Sequence, residues 1–462
     1  MIRIDDALTA KALLPLCTRI FALSAKKISL LQRTWNPRHG TPVFTVKGVY
    51  TSRGWTEWTQ GFQFGSGILQ FDATGESSAL EWARKATVKQ MATHVSHTGV
   101  HDHGFNIIST YGNLLRLMNE GRIQEDPWER AFYELALKVS GAVQAARWTE
   151  LGNGEGYIYS FNGPHSLFAD TIRSLRVLAV AHQLGHVLMG EKDKRISLLE
   201  RLIVHAFTTA QYNVYFDEGR DAYDCRGRVA HESIFNINDG SYRCPNSQQG
   251  YSPFTTWTRG LAWVLCGFTE QLEYLATLPE GEFPKGKKKA EVLSTFLGAA
   301  EAVADFYLDE TPTDGIPYWD TGAPGLARMG DYLAKPADPF NDFEPVDSSA
   351  ALITAQGLLR LGLYLKGAGK QKQGKRYFQA GLTIVANVFT EPYLSHDEAH
   401  QGLILHSVYH RPNGWDSIPA GKKIPCGEST MWGDYHAREL ALMVLRLAEG
   451  KAVPRFFLTL RK

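Results

Sequence analysis

The sequence has no surplus charge of either sign. Its 462 residues carry 49 Lys and Arg against 48 Asp and Glu, a formal net charge of +1. That balance leaves no basic field for nucleic acid and no acidic tail. Cysteine is scarce and unpatterned. Cys17, Cys225, Cys244, Cys266 and Cys426 form neither a CxxC pair nor a zinc spacing. Cys225, Cys244 and His231 share one long loop, but their spacing gives a metal little support. A long apolar run is also missing. The N-terminal stretch is interrupted by Lys11, Arg19, Lys26 and Lys27, unlike a signal peptide or a membrane span. These absences predict a cytoplasmic protein with no nucleic-acid or membrane partner, and no metal or organic cofactor is signalled.

What is present is an ordinary globular balance, 44% hydrophobic and 21% charged, with ample chain for a large core. Periodicity and caps predict about twelve helices, near 5–30, 61–73, 77–96, 104–120, 126–147, 166–184, 188–209, 257–275, 288–308, 347–363, 371–389 and 431–449. No strand series competes with them. Short turns carrying Gly75, Gly121 and Gly185 alternate with long loops near 31–60, 97–103, 148–165, 210–256, 310–346 and 390–430. Helix hairpins closed in a ring would place the even-numbered helices inside, running the same way, with the long loops at one end. The expected fold is therefore all-α, a single (α/α)6 barrel domain over 1–462.

The starts of the inner helices carry the chemistry. They are WTQGF at Trp58, HDHGF at His101 to Phe105, the segment with Asp170, TTWTRGLAW with Trp257, Arg259 and Trp263, VDSSAALI at Asp347, and MWGDY with Trp432 and Asp434. Six helix N-termini on one rim suit an anionic ligand. Trp58, Trp257, Trp263 and Trp432 offer flat faces on which a sugar can stack, although each Trp alone is as well explained by core packing. Asp102 and Asp170 read equally as caps or as an acid/base pair. Asp347 and Asp434 read better as caps. Arg259 in a first helical turn opposes the helix dipole, and a carboxylate ligand would compensate it. His231 and Gln249 lie in the longest loop, where substrate contact is expected.

Taken in order, HDHGF, the helix bearing Asp170, QGYSPFTTWTRGLAW, DSSAALITAQGLL, GLILHSVYHRP and ESTMWGDY resemble the unsaturated glucuronyl hydrolases, from about Lys47 to about Arg446. The resemblance implies an (α/α)6 barrel acting on oligosaccharides that end in a 4,5-unsaturated uronic acid. Asp170 would protonate C4 of the vinyl ether and assist water attack at C5. Asp102 would hold the sugar hydroxyls and, with burial, raise the pKa of Asp170 so that it stays protonated. His101, His231, Gln249, Arg259, Trp263, Trp58 and Trp432 would contact substrate. The unsaturated rhamnogalacturonyl hydrolases share these features. A sugar epimerase or isomerase using His101, His103, His231 or His436, and a silent carbohydrate-binding barrel, are the readings from other classes. Two departures stand out. Arg173 and Ser174 replace an apolar turn and an Asn, so Arg173 either turns away from Asp170 or binds a second anion. His103 stands where an apolar residue is usual.

Overall fold

The computed structural model describes residues 1–54, 58–152 and 154–458. The expected loops at 31–60 and 148–165 thus include residues 55–57 and 153, which lie outside the described ones. Helix dominates, and we label its main elements in chain order. The first six are α1 (Leu14–Thr34), α2 (Gln60–Thr74), α3 (Ser77–Gln90), α4 (His103–Ile107 running through a π turn into Asn113–Asn119), α5 (Pro127–Ala146) and α6 (Thr171–Ser174, then Arg176–Gln183). The rest are α7 (Leu198–Tyr212), α8 (Thr258–Leu275), α9 (Lys289–Asp309), α10 (Ser348–Gly367), α11 (Gln371–Val388) and α12 (Met431–Ala448).

Packing separates these into two sets. The even-numbered helices contact one another in succession, α2 on α4, α4 on α6, α6 on α8, α8 on α10, α10 on α12, and α12 returns to α2. The odd-numbered helices lie against them: α1 on α12, α3 on α2, α5 on α4 and α6, α7 on α6, α9 on α8 and α11 on α10. Sequence dictates the split. From Thr258 to Leu275, α8 is buried at nearly every position, as is α10 from Ser348 to Gly362. A helix apolar on all sides belongs inside. By contrast α5, α7 and α11 bury one stripe and expose the other. Among the described residues, most buried apolar side chains form a large connected core from Ile2 to Phe457, and Tyr157, Leu167 and Phe235 form a small second cluster beside the sheet.

Three expectations need correction. The first helix begins at Leu14 rather than near residue 5, because Pro15 is accommodated only in a first turn, and a 3-10 turn at Ala10–Leu13 precedes it. Residues 188–196 are not α-helical, holding only a 3-10 turn at Glu191–Asp193. They form a small hairpin, and Ser197 caps the start of α7 by accepting from Glu200 N. The most consequential change is at Ser166–Phe168, which is a strand. It pairs with Glu232–Phe235, and that strand pairs with Tyr242–Asn246, giving a three-stranded antiparallel sheet. The other strands are likewise short hairpins within loops.

Inside the helical ring lies a buried ionic network. Arg173, fully buried, donates from Nε to Glu270 Oε2 (3.1 Å) and from Nη2 to Glu270 Oε1 (3.2 Å) and Glu439 Oε2 (3.1 Å). Its Nη1 meets His436 Nε2, while His436 Nδ1 donates to Trp432 O at 2.6 Å. Arg176 shares Glu270, and Arg360 reaches Glu273 at 2.7 Å. The network joins α6, α8, α10 and α12. Removing one partner strands a charge away from water, which costs more than the pair contributes. Arg173→Met should therefore destabilise the fold by roughly 3–5 kcal/mol in calorimetry. Lys375→Met, at an exposed pair with Asp6, should leave the melt nearly unchanged. Equal melts for the two variants would show that the network carries no such role.

Candidate active site

The sheet sets up one wall. Its pairing of Phe168 with Glu232, and the Ala169 N–H donated to His231 O at 2.8 Å, bring His231 against the start of α6. Asp170 sits at the N-cap position there, yet its side chain caps nothing. Asp102 holds the same position on α4 and also makes no capping bond. The two starts meet because Gly104 has no side chain. A Cβ there would lie 1.9 Å from Ser174 O. Ser174 Oγ donates to His101 O (2.5 Å) and accepts from Gly104 N (3.0 Å) and Gln144 Nε2 (2.9 Å). Arg176 Nη2 donates to Gly104 O at 3.1 Å. Ser174 thus fastens α4 to α6, and Arg173 turns away into the ionic network.

His101 stands between the two carboxylates. Its Nε2 is 3.8 Å from Asp102 Oδ1 and 3.8 Å from Asp170 Oδ2. The ring is 1% exposed, stacked on Phe161 at 5.8 Å and edge-on to Phe168 at 5.5 Å. Neither ring nitrogen has a hydrogen-bond partner, nor has Asp170 Oδ1. His231 Nδ1 accepts from Gln248 N (3.1 Å) and Gln249 N (3.3 Å), which places the ring proton on Nε2. That Nε2 lies 4.0 Å from Asp170 Oδ1 and is also unpartnered. Donors and an acceptor therefore converge on a small volume without satisfying one another.

The electrostatics reverse one expectation. Burial raises the Asp170 carboxyl, but His101 and His231 beside it outweigh burial and hold it below its ordinary value. Burial and the Asp170 charge hold Asp102 above its own, against the pull of His101. Burial opposes charge on His101, yet the two carboxylates lift it above the usual imidazole value. The sequence suggested a raised Asp170 beside an ionised Asp102. The structure gives the opposite ordering, because a histidine at equal reach of both favours the carboxylate that also faces a second histidine.

Trp58, Phe105, Phe161, Trp257, Trp263, Tyr409 and Trp415 line a pocket with His101, Asp102, Asp170, Gln248, Gln249, Arg259 and His410. Of the residues expected from sequence, all reach this lining except two. His231 lies directly behind Asp170. Trp432 is fully buried and stacks under Trp58 at 4.8 Å, so it supports that face instead of touching a ligand. Phe161, Gln248, Tyr409, His410 and Trp415 were not singled out. Tyr409 and His410 lay within GLILHSVYHRP, but nothing local marked Phe161.

Other assignments resolve as structure. Arg259 is compensated from within: Nη1 donates to Asp347 Oδ2 and Val408 O, both at 2.5 Å, and Nη2 to Tyr409 O (2.7 Å) and Gln249 Oε1 (3.3 Å). Asp347 also caps α10 through Ser349 N and Ala350 N. Thr430 caps α12, and Asp434 instead accepts from Leu403 N, Ile404 N, Ser429 Oγ and Tyr50 Oη. His103 binds Ser140 Oγ (2.6 Å) and His97 O (2.8 Å), and His436 belongs to the ionic network. Only two of the four histidines considered for isomerase chemistry thus reach the site. Cys225 and Cys244 are exposed, whereas His231 is buried and turned to Asp170. Among the described residues, no group of three or more His, Cys, Asp or Glu is placed to hold a metal, and no helix is long and apolar enough to cross a membrane.

No family model matches the chain. It is 24% identical over 386 residues to the unsaturated glucuronyl hydrolase of Formosa agariphila, covering 83% of this chain and 78% of that protein. It is 26% identical over 408 residues to the unsaturated glucuronyl hydrolase of Bacillus sp. strain GL1, covering 86% and 88%. The unsaturated chondroitin disaccharide hydrolase of Streptococcus pyogenes is 25% identical over 439 residues, 92% of this chain and 90% of that protein. In fold, the crystal structure of the Bacillus sp. GL1 unsaturated glucuronyl hydrolase superposes with a TM-score of 0.70 at 22% identity, over 95% of this chain and 98% of that one. The Streptococcus agalactiae enzyme gives 0.69 at 20% identity, over 98% and 94%.

Two measurements check these placements. Arg259→Ala should strand Asp347 in the core, lowering stability by roughly 3–5 kcal/mol; an unchanged melt would show that the pair is dispensable. His103 is pushed down by burial from 6.5 to about 4. Below 6.5 the unfolded chain binds a proton that folded His103 refuses until about 4. Its contribution is thus full above 6.5 and lost as pH falls towards 4, on the order of 3 kcal/mol. His103→Phe should flatten the acid side of a plot of melting temperature against pH.

Proposed function

We propose that this chain, a homologue of the unsaturated glucuronyl hydrolases, removes a 4,5-unsaturated uronic acid from the non-reducing end of lyase-generated oligosaccharides by hydrating the C4=C5 vinyl ether. One observation carries the reading. Two buried carboxylates begin adjacent inner helices, cap nothing, and face an aromatic-lined pocket across a shared histidine. The solved structures include a complex with dGlcA-GalNAc6S and another with dGlcA-Glc-Rha-Glc, which agrees with a uronate-bearing oligosaccharide as partner here. The cyclic succession of even-numbered helices supports an (α/α)6 barrel, and the large core that runs through all of those helices supports one domain. Five unpaired thiols suit a cytoplasmic setting.

Asp170 is the acid in this mechanism. A uronate entering the pocket adds a negative charge beside it, and like charge favours its protonated form. The carboxyl protonates C4, positive charge develops at C5 and the ring oxygen, and water adds at C5 as Asp170 takes up the proton released. The hemiketal then opens and the glycosidic bond is lost. Asp102 holds sugar hydroxyls, His231 offers its Nε2 proton, and Gln249 is fixed by Arg259. Trp58, Trp257 and Trp263 supply apolar faces to the sugar ring.

Asp170→Asn tests the assignment. It keeps the shape but cannot deliver a proton, so turnover should fall by about 10²–10⁴-fold with binding and melting close to wild type. The assay is loss of the double-bond absorbance on a panel of unsaturated disaccharides. A dipole-stabilising Asp predicts instead near-normal activity with a stability loss of roughly 0.3–1 kcal/mol. Substantial turnover by the folded variant would sink the mechanism.

A further inference from the structure

The reaction needs a protonated acid, yet Asp170 is held by its neighbours as a carboxylate. A proton must reach it once substrate is bound. His101 is the group placed to deliver it. Its Nε2 is equidistant from both carboxylates, and both its nitrogens are unpartnered. The ring is fixed by Phe161 stacked on it and Phe168 edge-on, and its backbone by the Ser174 and Gln144 bonds to His101 O. A gap of 3.8 Å closes by a small rotation of the Asp170 carboxylate, and catalytic hydrogen bonds are often long before substrate arrives.

The geometry points to His101 as the proton-holding residue for Asp170. In the resting site its imidazolium faces the Asp170 carboxylate. When the uronate binds, Nε2–H passes to Asp170 Oδ2, leaving neutral imidazole and a carboxylic acid. Asp170 then gives that proton to C4. Water adding at C5 returns one proton to Asp170, which hands it back to Nε2. One water is consumed, and both residues end as they began. His101 acts through Asp170 and is a positioning residue in this cycle. The charged and titratable groups facing it are Asp102 on its own segment, Asp170 on α6, Arg147 after α5, His205 on α7 and His231 beside the sheet. Arg147 and the two histidines oppose its charge, and only the two carboxylates favour it.

The inference rests on the hydrolase reading, and the experiment separates their failures. Loss of the double-bond absorbance is followed against pH for wild type, His101→Gln and His101→Ala. If wild type turns over no unsaturated disaccharide, the functional reading fails first. If wild type is active, kcat/KM should fall on the alkaline side as His101 loses its proton. His101→Gln should lower kcat by about 10²-fold or more with KM within a few-fold, and should remove that alkaline limb. Added imidazole should restore part of the activity of His101→Ala. A His101→Gln profile parallel to wild type, or no response to imidazole, overturns the assignment. Should the variants fail to fold, histidine-selective NMR of the wild type decides. His101 should still be imidazolium at neutral pH and lose its signal as such when a saturated uronate analogue binds. A neutral ring in the free protein would refute the idea.

Discussion

The pocket depends on one close approach, the first turn of α4 lying against α6 at Gly104 and Ser174. A side chain at 104 would occupy the position of the Ser174 carbonyl, so the two helix starts meet only because none is there. The Ser174 hydroxyl then bridges His101 O, Gly104 N and Gln144. Every distance among His101, Asp102 and Asp170 follows from that junction. The sheet adds the opposite wall by fixing His231 to Ala169, and the Arg259 fork fixes Gln249 and the 408–409 backbone.

Charge is used in two separate ways within the same barrel. Below the pocket, guanidinium and carboxylate groups are matched in ion pairs, so they hold four helices in register without reacting. At the pocket, the carboxylates and imidazoles face one another beyond hydrogen-bond reach. The first arrangement is rigid because each of its guanidiniums meets a carboxylate. The second retains unmet donors and acceptors, which is the condition for engaging a ligand and moving a proton.

Much of the helical plan was legible because inner helices carry near-continuous apolar runs and outer ones a single stripe. The caps at Asp347 and the glycine ends at Gly75 and Gly185 were equally local and held. Ser166–Phe168 was misread because three residues are too few to show alternation, and Leu167 happened to fit a helical period. Asp102 and Asp170 stood out by position, but their ordering in proton affinity did not, since it depends on where His101 and His231 lie in space. The partner of Arg259 was likewise hidden: Asp347 is 88 residues away in sequence. Trp432, like the pocket residues, stands at an inner-helix start, and only the stacking of Trp58 over it reveals which of the two faces a ligand.

The ionic network has a consequence for how this barrel can change over generations. Arg173, Glu270 and Glu439 are contributed by three different helices, and each satisfies charge that the others leave buried. A lone replacement at any of the three passes through a protein with an orphaned ion, whereas replacing the set together by apolar groups of matching volume need not weaken the fold. Descent from an apolar interior to this one, or back again, therefore runs through paired or compensated changes. A residue grafted from a relative at position 173 should therefore be tolerated only with its companions on α8 and α12.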